Sequence, residues 1–287
     1  MQYMKRKEFD ELTIADDFMF GAVMSNKRRC KRLLEKILGI KIKRIEYPER
    51  QKVMDFSYET KSIRLDIYVE DENGTVYDIE MQTTDKGNLE LRVRYYHDMI
   101  DLNIIDKGED YRKLKNSFVI FICTYDPFGK DRYKYTFKRR CEEDETLYLE
   151  DNAVTIVLNC SGHIGDIDED LKDLLHYIAG KEPQGEFAGD IAKGVEEVRS
   201  NKKWRRDYMT LRMMLNEERA AGRELGAVVE KITVIRKNKG KYPDELIRTM
   251  LDIDEDVYDA ISELIDANPD WSDEEIAGDI LGGYVRE

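Results

Sequence analysis

Two acidic side chains face each other across a predicted β-hairpin. The segment Ile63–Gln82 alternates apolar and polar residues on either side of the turn Glu72-Asn73-Gly74. A three-residue loop with Gly74 in the left-handed conformation pairs Asp66 with Glu80. The other partners across this register are Tyr68 with Asp78 and Arg64 with Gln82.

This register sorts the hairpin into two faces, because strand side chains alternate with a period of two. A two-residue loop would instead put Asp66 and Glu80 on opposite faces and scatter the apolar residues. The predicted apolar face consists of Ile63, Leu65, Ile67, Val69, Tyr77, Ile79 and Met81, and the predicted polar face consists of Arg64, Asp66, Tyr68, Asp78, Glu80 and Gln82.

Two carboxylates opposite each other need something to offset their repulsion. At ~4 Å, like charges repel by about 4 kcal/mol at a partly buried effective dielectric. A proton, an arginine or a divalent cation could offset that repulsion. Carboxylate oxygens completed by water and a phosphate are the ligands that Mg²⁺ prefers, and Mg²⁺ so bound activates water for attack on phosphorus. The alternative interpretation is a solvated face with surface ion pairs of little energetic consequence.

The surrounding pattern predicts the elements that would position this pair. Helices are expected from Thr13, with Asp16 as the capping acid, over Lys27–Leu38, and over about 89–105. Strands are expected over 45–54, 62–70, 75–83, 118–123 and 153–158. After about residue 165 only helical patterns remain. The order predicts an α/β core, a mixed β-sheet flanked by helices, followed by an all-helical C-terminal region.

Several classes of protein are disfavoured by what the sequence lacks. There is no apolar stretch long enough for a transmembrane helix, no signal peptide and no phosphate-binding glycine loop, so neither a membrane nor a nucleotide cofactor is expected. The four cysteines form no CxxC pair, and only three histidines are present. Free thiols and a cytoplasmic location are therefore expected.

Acidic and basic side chains are distributed unevenly along the chain. The net charge is −14, yet residues 240–287 alone hold 3 basic and 15 acidic side chains. We expect a nuclease-like domain at 1–165, a helical region at 166–239 that could form an arm or a dimer element, and an acidic helical tail at 240–287.

Five separated motifs resemble one known family. They are residues 16–20 (DDFMF), 64–68 (RLDIY), 78–82 (DIEMQ), 92–96 (RVRYY) and 121–129 (FICTYDPFG), in a stretch of roughly residues 8–180. In this order they resemble the PD-(D/E)XK nucleases, and more closely the recombination-promoting nuclease (Rpn) and putative-transposase branch. The resemblance implies a restriction-endonuclease-like core and metal-dependent DNA cleavage.

The resemblance also implies roles for single residues. Asp66 and Glu80 would be ligands of Mg²⁺, or of Mn²⁺, and Asp17 would be a helix-borne acid near the metal, with Asp16 as the alternative. Gln82 stands where the superfamily usually has lysine, although this branch is known to carry glutamine there. An amide supplies no positive charge, so the charge would have to come from Arg64, Arg92 or Arg94.

Other basic residues are candidates for contacts with nucleic acid. Lys130, Arg132 and Lys134 are interleaved with aromatic residues, which could bind phosphates and stack on bases, or else could form an amphipathic strand. The basic start of the second helix, Lys27–Arg32, is another candidate, with a solvated face as the default. Four residues on the helix after the hairpin could frame the cleft, or else form a tyrosine packing edge with two surface arginines: Arg92, Arg94, Tyr95 and Tyr96.

Two functions follow from these observations. The first is a metal-dependent DNA endonuclease linked to recombination, mobile elements or phage defence, with a homodimer expected for double-strand cleavage. The second is a degenerate member that keeps the fold as a binding or interaction module, which the glutamine and the net negative charge would favour. RNA, or a small phosphate, remains open as a substrate.

Overall fold

The computed structural model describes residues 7–46, 49–54 and 63–282, with the backbone alone described for residues 49–54 and 63–65. The chain divides into two compact units, Met1–Tyr208 and Met209–Glu287. Among the described residues, no helix is both long and apolar enough to cross a membrane. The four cysteines are free thiols.

Six strands form one mixed sheet in the first unit. Their order across the sheet is β1-β2-β3-β4-β6-β5. The pairs β3–β4 and β4–β6 are parallel, and the pairs β1–β2, β2–β3 and β5–β6 are antiparallel. The strands are β1 (Glu49–Met54), β2 (Ile63–Glu70), β3 (Val76–Gln82), β4 (Ser117–Cys123), β5 (Lys134–Phe137) and β6 (Ala153–Asn159).

Nine helices are described, five of them wholly within the first unit. The mixed sheet with its flanking helices and the helical C-terminal region confirm the predicted α/β fold class. The helices are α1 (Asp17–Met24), α2 (Lys27–Leu38), α3 (Leu89–Ile104), α4 (Glu169–Ile178), α5 (Gly185–Ser200), α6 (Lys202–Asn238), α7 (Asp244–Leu251), α8 (Glu255–Ala267) and α9 (Asp273–Ile280).

The β2–β3 hairpin has the predicted register. Ile67 pairs with Ile79 and Tyr68 pairs with Asp78. Gly74 has φ 75°, the left-handed conformation that the three-residue loop requires. Asp71 stabilises this turn, because its carboxylate accepts the backbone N–H groups of Asn73 and Thr75.

The two faces of the hairpin differ from the expectation in one respect, because both are covered. Every residue of β3 is buried. Helix α3 packs over the predicted polar face, where Tyr96 and Ile100 join Tyr68 and Phe121 in one apolar cluster. Helix α1 contacts β2 and β3. A sheet buried on both faces leaves its polar side chains little access to water.

Local signals at α1 and α2 explain where these helices begin and end. Asn26 caps α2 by accepting the N–H of Arg28 at 3.1 Å, and Gly39 ends it at φ 68°, as predicted. The predicted cap of α1 at Thr13 is wrong, because the N-cap is Asp16, three residues later, and the helix begins at Asp17. The carboxylate of Asp16 accepts the N–H and the hydroxyl of Thr13 at 2.7 and 3.0 Å, which holds a separate turn before the helix.

The first unit extends beyond the expected boundary at residue 165. Arg29 of α2 is almost fully buried and pairs with Glu197 at 2.8 Å and Asp190 at 3.4 Å, both on α5. Lys36 of α2 pairs with Asp170 of α4 at 2.7 Å. These contacts join α4 and α5 to the nuclease-like core, because packing continues after the strand signals stop.

The second unit has a core of its own. The end of α6 packs with α7, α8 and α9 around Ile235, Ile247, Tyr258 and Ile276. The two predicted helix starts of the acidic tail are present at α7 and α9, and Ser272 and Glu275 form a capping box at α9. The expected tail is therefore part of a small packed helical unit.

Candidate active site

At the two predicted acids, hydrogen bonds from backbone to side chain follow the backbone ladder of the hairpin. The ladder between β2 and β3 runs from Glu70–Val76 to Ile67–Ile79. Next to it, the N–H of Asp66 donates to Glu80 Oε1 at 2.9 Å, and the N–H of Met81 donates to Asp66 Oδ2 at 3.0 Å. Each acid is thus held by the backbone of the opposite strand. The structure brings Asp66 and Glu80 together as the sequence predicts.

A third acid lies behind this pair on the same face of β3. Asp78 is 0% exposed and Glu80 is 3% exposed. Neither oxygen of Asp78 has a hydrogen-bond partner among the described residues. Burial, reinforced by the charges of Glu80 and Asp66, raises the pKa of Asp78 well above its usual range. Burial and the charge of Asp66 likewise raise the pKa of Glu80.

The carboxylates of this cluster are ligands of the kind that a divalent cation takes. Its acids repel one another in a place that water scarcely reaches, and a divalent cation bound by carboxylate oxygens removes that repulsion. Within the described residues, no group of three or more His, Cys, Asp or Glu side chains is arranged to hold a metal. Two carboxylates, with water and a phosphate as further ligands, suffice for Mg²⁺. Asp66 and Glu80 therefore fit that ion.

Arg92 brings a positive charge to the acids and to Gln82. Its guanidinium lies 3.2 Å from Glu80 Oε2 and donates to Gln82 Oε1 and, at 2.9 Å, to the Tyr96 hydroxyl. It also lies over the rings of Tyr96 and Phe121, at 5.3 and 5.1 Å. Of the three arginines proposed to replace the missing lysine charge, Arg92 is the one with described contacts at the site.

Gln82 is held in place from both ends. Its amide oxygen accepts from Arg92, and its Nε2 donates to the carbonyl of Thr84 at 2.7 Å. The side chain is buried. Because the amide both donates and accepts, Gln82 links the loop after β3 to the guanidinium of Arg92. A lysine could not form this link, because its side chain has no acceptor.

The predicted helix-borne acid is not brought into this network. Asp17 begins α1 and accepts the N–H of Phe18 at 2.7 Å. Its alternative, Asp16, forms an ion pair with Lys7 at 2.8 Å in addition to its bonds with Thr13. Neither residue contacts Asp66 or Glu80 in the described hydrogen bonds and ion pairs.

The remaining predicted contacts with nucleic acid are spread over the first unit. The side chain of Arg64 lies outside the described residues. Arg94 is exposed on α3, and Lys130 and Arg132 are exposed before β5. Lys134 differs from the expectation, because it is half-buried and donates to the carbonyl of Ile37 at the end of α2. The nearby aromatic residues Phe128, Tyr135 and Phe137 pack on one another.

Asp78 was not among the predicted site residues, and Tyr96 was expected only among the residues that could frame the cleft. Asp78 was placed only on the polar face, although an acid two residues before Glu80 on the same strand face signals a deeper carboxylate. Tyr96 lies one helical turn after Arg92, the spacing that lets both side chains point to one place. His97, the residue after Tyr96, has no contact with the acids among the described hydrogen bonds and lies between Ser117 and Thr155.

Comparisons with known proteins give one result on the family. A scan against protein families matches residues 16–160, just over half of the chain, to the family described as PD-(D/E)XK nuclease family transposase. Comparison with curated proteins and with solved structures gave no match. The matched stretch includes the hairpin with Asp66 and Glu80, and also α3 with Arg92. The chain therefore belongs to the PD-(D/E)XK nuclease family transposases.

Proposed function

We propose that this protein is a metal-dependent DNA endonuclease in which Asp66 and Glu80 hold Mg²⁺ or Mn²⁺. The observation that carries the proposal is the exchange of backbone hydrogen bonds by these two acids beside a guanidinium. The family supports nuclease activity in general. Membership of the Rpn branch, a cytoplasmic location and a link to recombination, mobile elements or phage defence belong to the same proposal.

The bound cation would polarise the scissile phosphate and favour the ionised form of an attacking water. The chain's own residues have other tasks. The backbone of the hairpin orients both carboxylates, so little reorganisation is needed when substrate arrives. Arg92, held by Gln82 and Tyr96, presents a fixed positive charge where the family pattern usually has lysine. It would stabilise the charge that builds up on the phosphate.

Cleavage of supercoiled plasmid with added Mg²⁺ or Mn²⁺ tests this proposal. We expect activity in the wild type, and its loss in Asp66→Asn and Glu80→Gln, which keep the size of the side chains. Arg92→Met should lose at least about tenfold in rate and Arg92→Lys should retain more, whereas Arg112→Met, at an exposed arginine that pairs with Asp110, is the control. Activity that survives both acid substitutions would contradict the proposal.

Two further parts of the proposal have their own readouts. Cutting both strands of a duplex requires two active sites, and we propose a homodimer, which analytical ultracentrifugation tests.

A wild type that binds DNA but does not cleave it would support the second function, a nuclease fold kept as a binding module. The features that support that alternative are Gln82, in the place of the usual lysine, and the net charge of −14.

A further inference from the structure

A basic groove lies along α2 and the segment that follows it. Its volume is about 890 Å³. Eight of its lining residues are lysine or arginine and two are acids, in a chain whose net charge is −14. The basic residues are Lys27, Arg28, Lys31, Arg32, Lys36, Lys41, Lys43 and Arg44, and the acids are Glu35 and Asp168.

Part of this charge holds the fold together. Arg32 pairs with Asp170 at 3.3 Å and with Glu186 at 3.0 Å, and Lys36 pairs with Asp168 at 3.0 Å. These pairs join α2 to α4 and α5. Two more cations of the groove are paired, Lys31 with Glu35 and Arg44 with Glu46, each at 3.1 Å. The positive charge that remains available for a ligand comes mainly from Arg28, Lys41 and Lys43.

The cations at the rim are turned to solvent. Arg28 and Lys43 are exposed, and neither forms an ion pair within the described part of the chain. The side chain of Lys41 is 93% exposed, and its ammonium lies 4.0 Å from Glu35. Exposed cations grouped on one concave surface create a local positive potential, although the whole chain is acidic.

The backbone of the groove is fixed before any ligand binds. Asn26 caps the start of α2, and Gly39 ends it. The carboxylate of Glu72, in the β2–β3 turn, accepts the N–H groups of Lys43 and Arg44 at 3.1 and 2.9 Å. The rim cations therefore project from a rigid frame, which lowers the entropy lost on binding.

We propose that this groove binds the sugar–phosphate backbone of nucleic acid, at a site separate from the candidate active site. Several cations along a groove suit a chain of phosphates, whereas a single small anion would need one or two of them. The lining includes no aromatic residue on which a base could stack. We therefore expect the groove to bind nucleic acid through its phosphate charge and without preference for base sequence, as contacts to phosphate do.

The groove holds its ligand away from the reacting bond. Asp66 lies four residues before the end of β2 at Glu70, which is about 13 Å along the strand. Glu72, at the Lys43 and Arg44 end of the groove, lies in the turn beyond that end. That the polyanion is DNA rests on the proposed function, but binding to the groove does not require the chain to cut what it binds.

Binding without cleavage tests the groove. Fluorescence anisotropy with a labelled 30-base-pair duplex, in EDTA and over a range of NaCl concentrations, gives the affinity and its salt dependence. We expect the double variant Arg28→Gln/Lys43→Gln to bind roughly tenfold more weakly at low salt, with a slope of log K against log salt reduced by about two. Both residues are exposed, so the melting temperature should stay unchanged.

A matched variant separates this effect from the loss of net charge. Lys107→Gln/Lys193→Gln removes the same two charges from exposed positions outside the groove. An equal loss of affinity in both double variants, or an unchanged salt slope in the groove variant, would overturn the inference. Because the readout is binding in EDTA, a wild type that never cleaves DNA would refute the proposed function and leave this result standing.

Discussion

His97 lies between α3 and the sheet, and its buried ring predicts an acid-sensitive contact. It is 5% exposed, with Nδ1 2.9 Å from Ser117 Oγ and Nε2 3.2 Å from Thr155 Oγ1. Burial, helped by the charge of Arg139, lowers the pKa of His97 to about 4. Two neighbours on the strands thus hold a neutral ring, which fixes the helix that carries Arg92.

The sign of the pH effect follows from proton linkage. In the unfolded chain His97 takes up a proton near its ordinary pKa of about 6.5. Between pH 6.5 and 4 the unfolded state binds more protons than the native state, so the free energy of unfolding falls as the pH falls. At pH 5, the two pKa values give a loss of about 2 kcal/mol from this residue alone.

Urea unfolding of the wild type and His97→Gln at pH 7.5 and pH 5 measures this quantity. The glutamine does not titrate, so the difference in stability between the two proteins should shrink by about 2 kcal/mol from pH 7.5 to pH 5. Other groups titrate equally in both proteins and cancel. A difference that is equal at both pH values would refute the reasoning.

Three further predictions concern metal, charge and packing. Without substrate, millimolar Mg²⁺ or Mn²⁺ should raise the melting temperature of the wild type, EDTA should reverse the shift, and Asp66→Asn should abolish it. In EDTA, the raised pKa of Asp78 means that its contribution to stability is lost as the pH rises, so Asp78→Asn should lose less stability than the wild type between pH 5 and pH 8, measured by urea unfolding. A Cβ on Gly162 would lie 2.6 Å from the backbone nitrogen of Tyr133, so Gly162→Ala should cost about 1–3 kcal/mol, whereas Gly189→Ala, in open space within α5, should gain about 0.5–1 kcal/mol in the same unfolding assay.

The hairpin could be predicted from the sequence because its information is local. The alternation of apolar residues and one glycine at φ 75° define a register, and the register alone places Asp66 opposite Glu80. The bounds of α2 follow for the same reason, since Asn26 and Gly39 are adjacent to the residues that they cap. A short-range pattern is sufficient where the interactions that fix the structure are short-range.

The missed features depend on contacts between distant segments. That α3 covers the polar face, and that Arg92 rather than Arg94 reaches the acids, depends on how the helix rotates as it packs on the sheet. The buried pair of Arg29 with Glu197 joins residues far apart in the chain, so the charge pattern of α2 alone suggested a solvated face. The start of α1 was missed because Asp16 bonds to a turn that propensity does not distinguish from a helix.

The positive charge of the candidate site comes from a helix, while the two acids belong to adjacent strands, β2 and β3, in the interior of the sheet. A central strand is released only when the sheet unfolds, whereas a helix docked on one face can detach in a smaller opening. Loss of α3 would remove Arg92 and uncover Glu80 while leaving both acids in register. The docking of α3, which positions Arg92, is therefore separable from the global stability of the fold. The hydrogen-exchange rates of the α3 amides would report the docking, and those of the β3 amides would report the global stability. Under the proposed function, a ligand that held α3 on the sheet or detached it would control cleavage without contacting Asp66 or Glu80.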